Sequence, residues 1–318
     1  MKRREFLKLS VGIAATTAWS QQSRAEGAPK QIRIGTQKGG FFPAVRQRHT
    51  LEDAFQPLGI EIKWVDFQFG PPLLEAINVG SVDFGYVGDT PPIFAQAAGA
   101  RIRYVAAVKS DGNTQAIIVP GDSPIRTLAD LRGKRIAFAK GSSANNLLVA
   151  ALEKAGLSWS DITPAPLAPA DATAAFVKGS VDAWTIWDPY LALAELKQNA
   201  RVIVFDRDIH HPNSFYIAGA DFVEKYPELV SRLNRSFAAE GAWANGHHDE
   251  VGKAQSDATG VDIEAVRRFV DRSNYQVVPI DDEIIKSQQA IADRFIRVGL
   301  IPKAVNVSDI VWTWTPGA

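Results

Sequence analysis

From residue 31 onward, short runs of β-branched and aromatic residues alternate with helical stretches that begin on proline and stop at glycine. This alternation is what most constrains the fold. Residues 32–35 read as a strand, 42–58 as a helix with Pro43 in its first turn, and 60–67 as a strand. A helix at 71–79 begins on Pro71 and Pro72 and stops at Gly80. The same signals recur in a strand at 82–87 and a helix at 91–98, and strands follow at 102–108 and 114–119. Proline lacks the N–H that a first helical turn leaves unpaired, and glycine accepts the left-handed turn past a helix end. Repeated strand–helix–strand units imply a mostly parallel sheet covered by helices on both faces.

A second series starts after the turn-rich Pro120-Gly121-Asp122-Ser123-Pro124. It reads as a strand at 135–139, helices at 145–155 and 170–178, a strand at 181–186, a helix at 189–196, and strands at 202–205 and 215–219. Beyond it the pattern is helical, at 221–226, 229–246, 263–270 and 281–298. Helices without intervening strands cannot build a third sheet, so they are expected to pack back on the first. The expected fold is therefore α/β, with a discontinuous lobe 1 at 26–119 and 220–318 and an inserted lobe 2 at 120–219. Two crossings, near Val119-Pro120 and at 217–220, form a two-strand hinge with a ligand cleft between the lobes.

Residues 1–25 stand apart. A basic start containing Arg3-Arg4, a short apolar run at 9–19 and small residues at Ser23 and Ala25 compose an export signal. Arg3-Arg4 followed by Glu5-Phe6-Leu7-Lys8 resembles a twin-arginine signal, so the twin-arginine translocase is an expected partner during export. Five basic residues and one acidic residue lie in this segment out of 35 of each, so the rest carries a net charge of −4. A mildly acidic body with no basic stripe argues against nucleic-acid binding. The chain has no cysteine, which excludes disulfides, thiol nucleophiles, thiolate metal sites and a lipid-modified cysteine anchor. The expected product is a free periplasmic monomer.

In parallel sheets, ligands bind beyond the carboxyl ends of strands, where helix N-termini point. The loops there contain Gln37, Asp89, Thr90, Ser142, Ser143, Asn145, Trp187 and Asp188. Hydroxyls, amides and helix N-termini suit a compact anion. Each residue has a plainer alternative. Ser143 or Thr90 can cap its own helix, Asp188 reads as an N-cap before Pro189, and Trp187 either stacks on a ligand tail or belongs to a core. The adjacent pairs His210-His211 and His247-His248 lack metal-ligand spacing and read as surface or turn residues. There is no G-x-S-x-G, G-x-G-x-x-G or Walker A motif, so no catalytic residue, cofactor or metal is assigned and the chain is read as a non-enzyme. Affinity for an always-ionised anion is expected to stay flat from about pH 5 to 9.

The stretches I-G-T-Q-K-G at 34–39, G-P-P-L-L-E-A-I-N-V-G at 70–80 and G-D-T-P-P-I-F-A-Q-A-A-G-A at 88–100 carry a resemblance, joined by 141–148, V-D-A-W-T-I-W-D-P-Y at 181–190 and Ser214-Phe215-Tyr216. They resemble the aliphatic sulfonate-binding proteins of ABC importers, within a wider family of taurine, nitrate and thiamine-precursor binders. The resemblance implies a type II periplasmic-binding fold and a receptor that delivers a sulfonate to a membrane permease and its ATPase for sulfur uptake. By motif, Gln37, Thr90, Ser142 and Ser143 would meet the sulfonate oxygens, with Trp187 and Asp188 beside the tail. The alternatives are a binder of taurine, a sulfate ester or nitrate, or an enzyme of the same fold acting on a thiamine-pyrimidine-type metabolite.

Overall fold

The computed structural model describes residues 27–210 and 212–316. The export signal read over residues 1–25 and the second member of the 210–211 histidine pair lie outside the described residues. The strands are β1 Gln31–Thr36, β2 Glu61–Asp66, β3 Phe84–Val87, β4 Ile102–Lys109, β5 Gln115–Pro120, β6 Arg135–Phe138, β7 Thr163–Pro166, β8 Ala183–Trp187, β9 Ala200–Phe205, β10 Asn213–Gly219 and β11 Val277–Val278. The helices are α1 Phe42–Arg48, α2 Thr50–Phe55, α3 Gly70–Asn78, α4 Thr90–Ala97, α5 Ser143–Lys154, α6 Pro169–Val177, α7 Tyr190–Lys197, α8 Ala220–Lys225, α9 Pro227–Ala244, α10 His248–Thr259, α11 Ile263–Asp271 and α12 Asp282–Arg297.

Two sheets result, ordered β11-β4-β10-β3-β1-β2 and β7-β6-β8-β5-β9. Each lies between helices. One face of the first sheet buries Phe42, Phe84, Tyr216 and Phe237 under α1, α9, α10 and α11. The rings of Phe42 and Phe237 stack with centroids 4.1 Å apart. The other face buries Leu73, Ile93 and Phe295 under α3, α4 and α12. In the second sheet, Leu147, Leu148 and Leu152 of α5 cover one face, while Phe176 of α6 and Leu191 of α7 cover the other with Trp184. Removing this apolar surface from water, at roughly 25 cal/mol per Å², is the main drive for each lobe.

The lobe boundaries differ from those expected. β5 pairs with β8 and β9, so it belongs to the second sheet. β10 runs antiparallel between β3 and β4, with Tyr216 opposite Tyr86 and Ala106, so it belongs to the first. The crossings therefore lie at 110–114 and 206–212, not at Val119-Pro120 and 217–220. The 120–124 segment is a turn inside the second lobe, because local turn chemistry marks a chain reversal and does not say which sheet a strand joins. The two crossings touch. Arg207 N–H donates to Gly112 O at 3.0 Å, and a Cβ on Gly112 (φ +66°) would sit 2.6 Å from Arg207 N, so glycine is required there.

Smaller differences have local causes. The helix expected over 42–58 breaks at His49, which adopts φ 58°, into α1, α2 and a 3₁₀ turn at Gln56–Leu58. β7 carries Pro164 and Pro166 and is tolerated because it is an edge strand. Asp281 caps α12 by accepting from Ile284 N at 2.8 Å, as its position before an acidic first turn implies.

Both lobes are built on one tie. G-S-V-D occurs at 80–83 and again at 179–182. Asp83 accepts from Arg33 N at 2.7 Å while its own N–H donates to Arg33 O at 2.9 Å. Asp182 repeats this with Arg135, at 2.7 and 2.8 Å. Each aspartate fastens the turn before the third strand of its unit to the first.

Candidate functional site

The lobes face each other across a cleft lined from both sides. Gln37, Gly39, Gly88 and Asp89 come from the first lobe, Ser142, Ser143, Trp187 and Asp188 from the second, and Ser110, Thr114, Asp206 and Pro212 from the crossings. The cavity between the lobes has a volume of about 100 Å³. Two of the contacts between the lobes run through glycine. A Cβ on Gly88 would lie 2.9 Å from Ser143 Cβ and Oγ, and one on Gly39 would lie 3.0 Å from Asp188 O. Gly39 lets backbone from opposite lobes meet, and Gly88 lets its backbone meet the Ser143 side chain.

The helix N-termini at the cleft are not equivalent. α3 begins Gly70-Pro71-Pro72 and α4 begins Thr90-Pro91-Pro92, so their first turns have lost N–H donors to proline. α7 is already served, since Asp188 Oδ1 accepts from Ala192 N at 2.9 Å. α5 differs: it starts Ser143-Ala144-Asn145 without proline, and its N-cap Ser142 makes no side-chain cap bond. Asn145 N already donates to Ser142 O at 2.9 Å, so what this helix start brings to the cleft is Ser143 and the positive end of its dipole. Lys109 is the basic residue among those lining the cleft.

Three carboxylates also line the cleft: Asp89, Asp188 and Asp206. Each is matched. Asp89 Oδ1 accepts from Thr90 Oγ1 at 2.7 Å and Oδ2 from Asn146 Nδ2 at 2.9 Å. Behind it, His210 places Nε2 3.3 Å from Asp89 Oδ2 and Nδ1 2.7 Å from Asp206 Oδ1. Gln115 Nε2 donates to Asp206 Oδ2 at 2.9 Å and to Ser143 O at 3.3 Å. Burial pushes the Asp206 carboxyl up to about 6, against the pull of His210. Burial works to lower His210, but its bonds to Asp206 and Asp89 outweigh this and raise it to about 10. Asp188 is pushed up to about 7 by burial, opposed by Arg272, whose Nη1 lies 3.6 Å from Asp188 Oδ2. With its carboxylates matched from behind, the cleft leaves Lys109 and the start of α5 to meet a negative ligand.

Of the residues picked out in the sequence, Gln37, Asp89, Ser142, Ser143, Trp187, Asp188 and Ser214 line one cavity. Thr90 and Asn145 do not. Thr90 is fully buried and its hydroxyl is held by Asp89. Asn145 turns its Oδ1 to Gly141 N at 3.1 Å, bracing the loop behind Ser143. Ser142 donates its hydroxyl to Ala139 O at 2.7 Å, and Gln37 Nε2 donates to Tyr86 O at 2.7 Å. Ser214 accepts from Tyr86 Oη at 2.9 Å. Asp188 is not the N-cap, because α7 starts at Tyr190 and Pro189 holds that position, but its Oδ1 still accepts from Ala192 N in the first turn while the residue lines the cleft. The surface reading of His210 is wrong, because the fold buries it between Asp89 and Asp206 at a crossing. His247 is exposed and stacks on Trp243 with ring centroids 4.6 Å apart. Sequence reading missed Gln115, Asp206 and Arg272; Gln115 and Asp206 were marked only by their place at strand ends, and Arg272, just past α11, by nothing.

Two α/β lobes, a crossed hinge and a cleft at the strands' carboxyl ends define the class: a type II periplasmic-binding fold. The chain belongs to the NMT1/THI5-like family, whose profile matches residues 55–250. A relative from Escherichia coli (strain K12) is 38% identical over 311 residues, 97% of either chain. The alkanesulfonate-binding protein SsuA from Xanthomonas axonopodis pv. citri, solved bound to MOPS, is similar at 40% identity and TM-score 0.86, over 89% of this chain and 98% of that one. The periplasmic aliphatic sulphonate binding protein SsuA from Escherichia coli is similar at 38% identity and TM-score 0.82, over 91% and 94% of the two chains. Among the described residues no helix is long and apolar enough to cross a membrane.

Proposed function

We propose that this chain is the solute-binding component of an ABC importer, closing on an aliphatic sulfonate and handing it to a membrane permease and its ATPase for sulfur uptake. The observation that carries the reading is the start of α5, which is free of proline, lined by Ser143 and roofed by Gly88 of the opposite lobe. A sulfonate spreads one permanent charge over three oxygens, so several neutral donors and one lysine can share it. Relatives named for alkanesulfonates, 40% and 38% identical over nearly their whole length, support the same ligand class. Export to the periplasm by the twin-arginine route, action as a monomer, and binding rather than catalysis belong to the same proposal. A thermal-shift screen of alkanesulfonates, taurine, sulfate esters and nitrate tests it. A true ligand at 100 times its Kd stabilises by about 2.7 kcal/mol. Stabilisation by nitrate or taurine alone assigns those ligands instead, and a shift with none of the four rejects the reading.

A further inference from the structure

The helices that meet across the cleft do so through two copies of one arrangement. On one flank Glu153 of α5 takes Arg294 Nε at 2.9 Å through Oε2 and Arg297 Nη2 at 2.7 Å through Oε1. On the opposite flank Glu195 of α7 takes Arg272 Nη2 at 2.7 Å, with Arg268 Nη1 at 3.6 Å. Each glutamate belongs to the second lobe, because α5 and α7 bury their apolar faces against opposite sides of that sheet. Each pair of arginines belongs to the first lobe, at spacings of three and four residues along or just past α12 and α11, so both guanidinium groups reach one carboxylate. Arg294 extends its grip, donating from Nη1 to Asn146 Oδ1 at 2.8 Å. Lys197 and Asp262 add a further contact of 3.0 Å beside the Glu195 group.

These groups are half-buried where it matters. The side chains of Arg294 and Arg272 are each 18% exposed and that of Glu195 is 15% exposed. Ionic contacts shielded to this degree are screened less than surface pairs. None of these glutamates and arginines lines the ligand cavity, and the one link to its lining among the described residues is Arg272 Nη1, 3.6 Å from Asp188 Oδ2. Every bond joins elements of opposite lobes, beside apolar contacts in which Val149 of α5 and Ala192 of α7 enter the first lobe's cores.

The geometry points to a pair of closure clasps, in which Glu153 and Glu195 hold the lobes shut from opposite flanks and set how long a ligand stays bound without touching it. One clasp alone would leave the other flank free to twist about it; two on opposite faces fix the closed register. The inference rests on the solute-binding reading. A binding protein of this design gains affinity from whatever favours its closed state over its open one, in proportion to the difference. Glu153 and Glu195 are therefore positioning residues.

The test compares wild type with Glu153→Gln, Glu195→Gln and the double variant. It measures ligand association and dissociation by stopped-flow with the sulfonate that gives the largest thermal shift, and small-angle scattering of the unliganded full chain. The expected result is that dissociation speeds up by about three- to tenfold for each variant, with the factors multiplying in the double, while association stays unchanged. The unliganded double variant should also show a larger radius of gyration. Dissociation within twofold of wild type in the double variant overturns the inference. So does a lowered unliganded melting temperature with an unchanged radius of gyration, which would mark the glutamates as ordinary supports within one lobe. If no sulfonate binds wild type, the functional reading fails by itself. The scattering comparison still decides on the clasps, and an unchanged radius in the double variant sinks them.

Discussion

Alanine at Gly88 isolates the closure of the cleft in a single methyl group. Gly88 has no left-handed backbone to strain, and the only atoms within 4 Å of an added Cβ are Ser143 Cβ and Oγ, both at 2.9 Å. Carbon atoms pack comfortably at about 3.5–4.0 Å, so the lobes must part by roughly 0.6–1.1 Å at this point or push Ser143 aside. Overpacking of this kind costs about 1–3 kcal/mol. Because Ser143 lies on the opposite lobe, the cost falls on the closed state alone. Gly88→Ala should therefore weaken sulfonate binding by about 5- to 150-fold, at 1.4 kcal/mol for each factor of ten. Urea unfolding of the unliganded protein should move by no more than about 0.5 kcal/mol. Calorimetric titration of a short alkanesulfonate into both proteins measures the first quantity. Adding Ser143→Gly to Gly88→Ala removes both clashing atoms and should recover the steric part of the loss. Wild-type affinity in Gly88→Ala would refute closure of the lobes on Ser143, and a full 1–3 kcal/mol loss of unliganded stability would place the clash within one lobe.

Further outcomes follow from the same geometry. Ser143→Ala should weaken binding by about tenfold, as loss of a hydrogen bond to a charged group does, whereas Ser142→Ala, whose hydroxyl is committed to Ala139 O, should change it by less than about threefold; equal losses in calorimetry would contradict this division. Asp188 and Asp206, raised to about 7 and about 6, and His210, raised to about 10, hold protons more tightly when folded. Their contributions to stability are complete below the unfolded values and are lost as pH rises through 7 and then through 10. Asp188→Asn should flatten the decline between pH 4 and 7 in denaturant titrations, and an unchanged slope would count against the assignment. Anion affinity should also fall between pH 5 and 8 as the Asp188 and Asp206 carboxyls that line the cleft ionise, instead of holding flat as the loop residues alone suggested. Asp83→Ala leaves Arg33 N and its guanidinium without their acceptor and should cost about 1–3 kcal/mol, while Asp182→Ala, which loses one backbone contact, should cost about 1 kcal/mol. Reversed magnitudes in urea unfolding would break the parallel between the lobes.

Legibility in the sequence divides along the reach of the forces. Helix bounds follow from proline and glycine acting on their own turn, which is why Pro71 and Gly80 bracketed α3 closely. The loop residues at strand ends were readable for the same reason, and most of them line the cleft. Sheet membership was not readable, because β10 finds Tyr86 and Ala106 across the whole second lobe. His210 was misread because its partners come from loops far away in the chain, Asp89 above all. Thr90 and Asn145 had the right chemistry at the right loops, but short local bonds turned them away from the cavity. The recurrence of G-S-V-D was present in the sequence and would have revealed the kinship of the lobes.

The position of β10 has a consequence for how the chain acquires its shape. All five strands of the second sheet lie between residues 115 and 205, so that lobe is complete as soon as its own stretch has left the ribosome. The first sheet cannot form at that point. Without β10 it is two fragments, β2-β1-β3 and β4, with no ladder between them. A nascent chain halted just before residue 213 would hold a folded second lobe and an unzipped first one. Elongation at about 5–20 residues per second keeps those unpaired edges waiting for seconds, the interval in which a chaperone or a second chain can reach them.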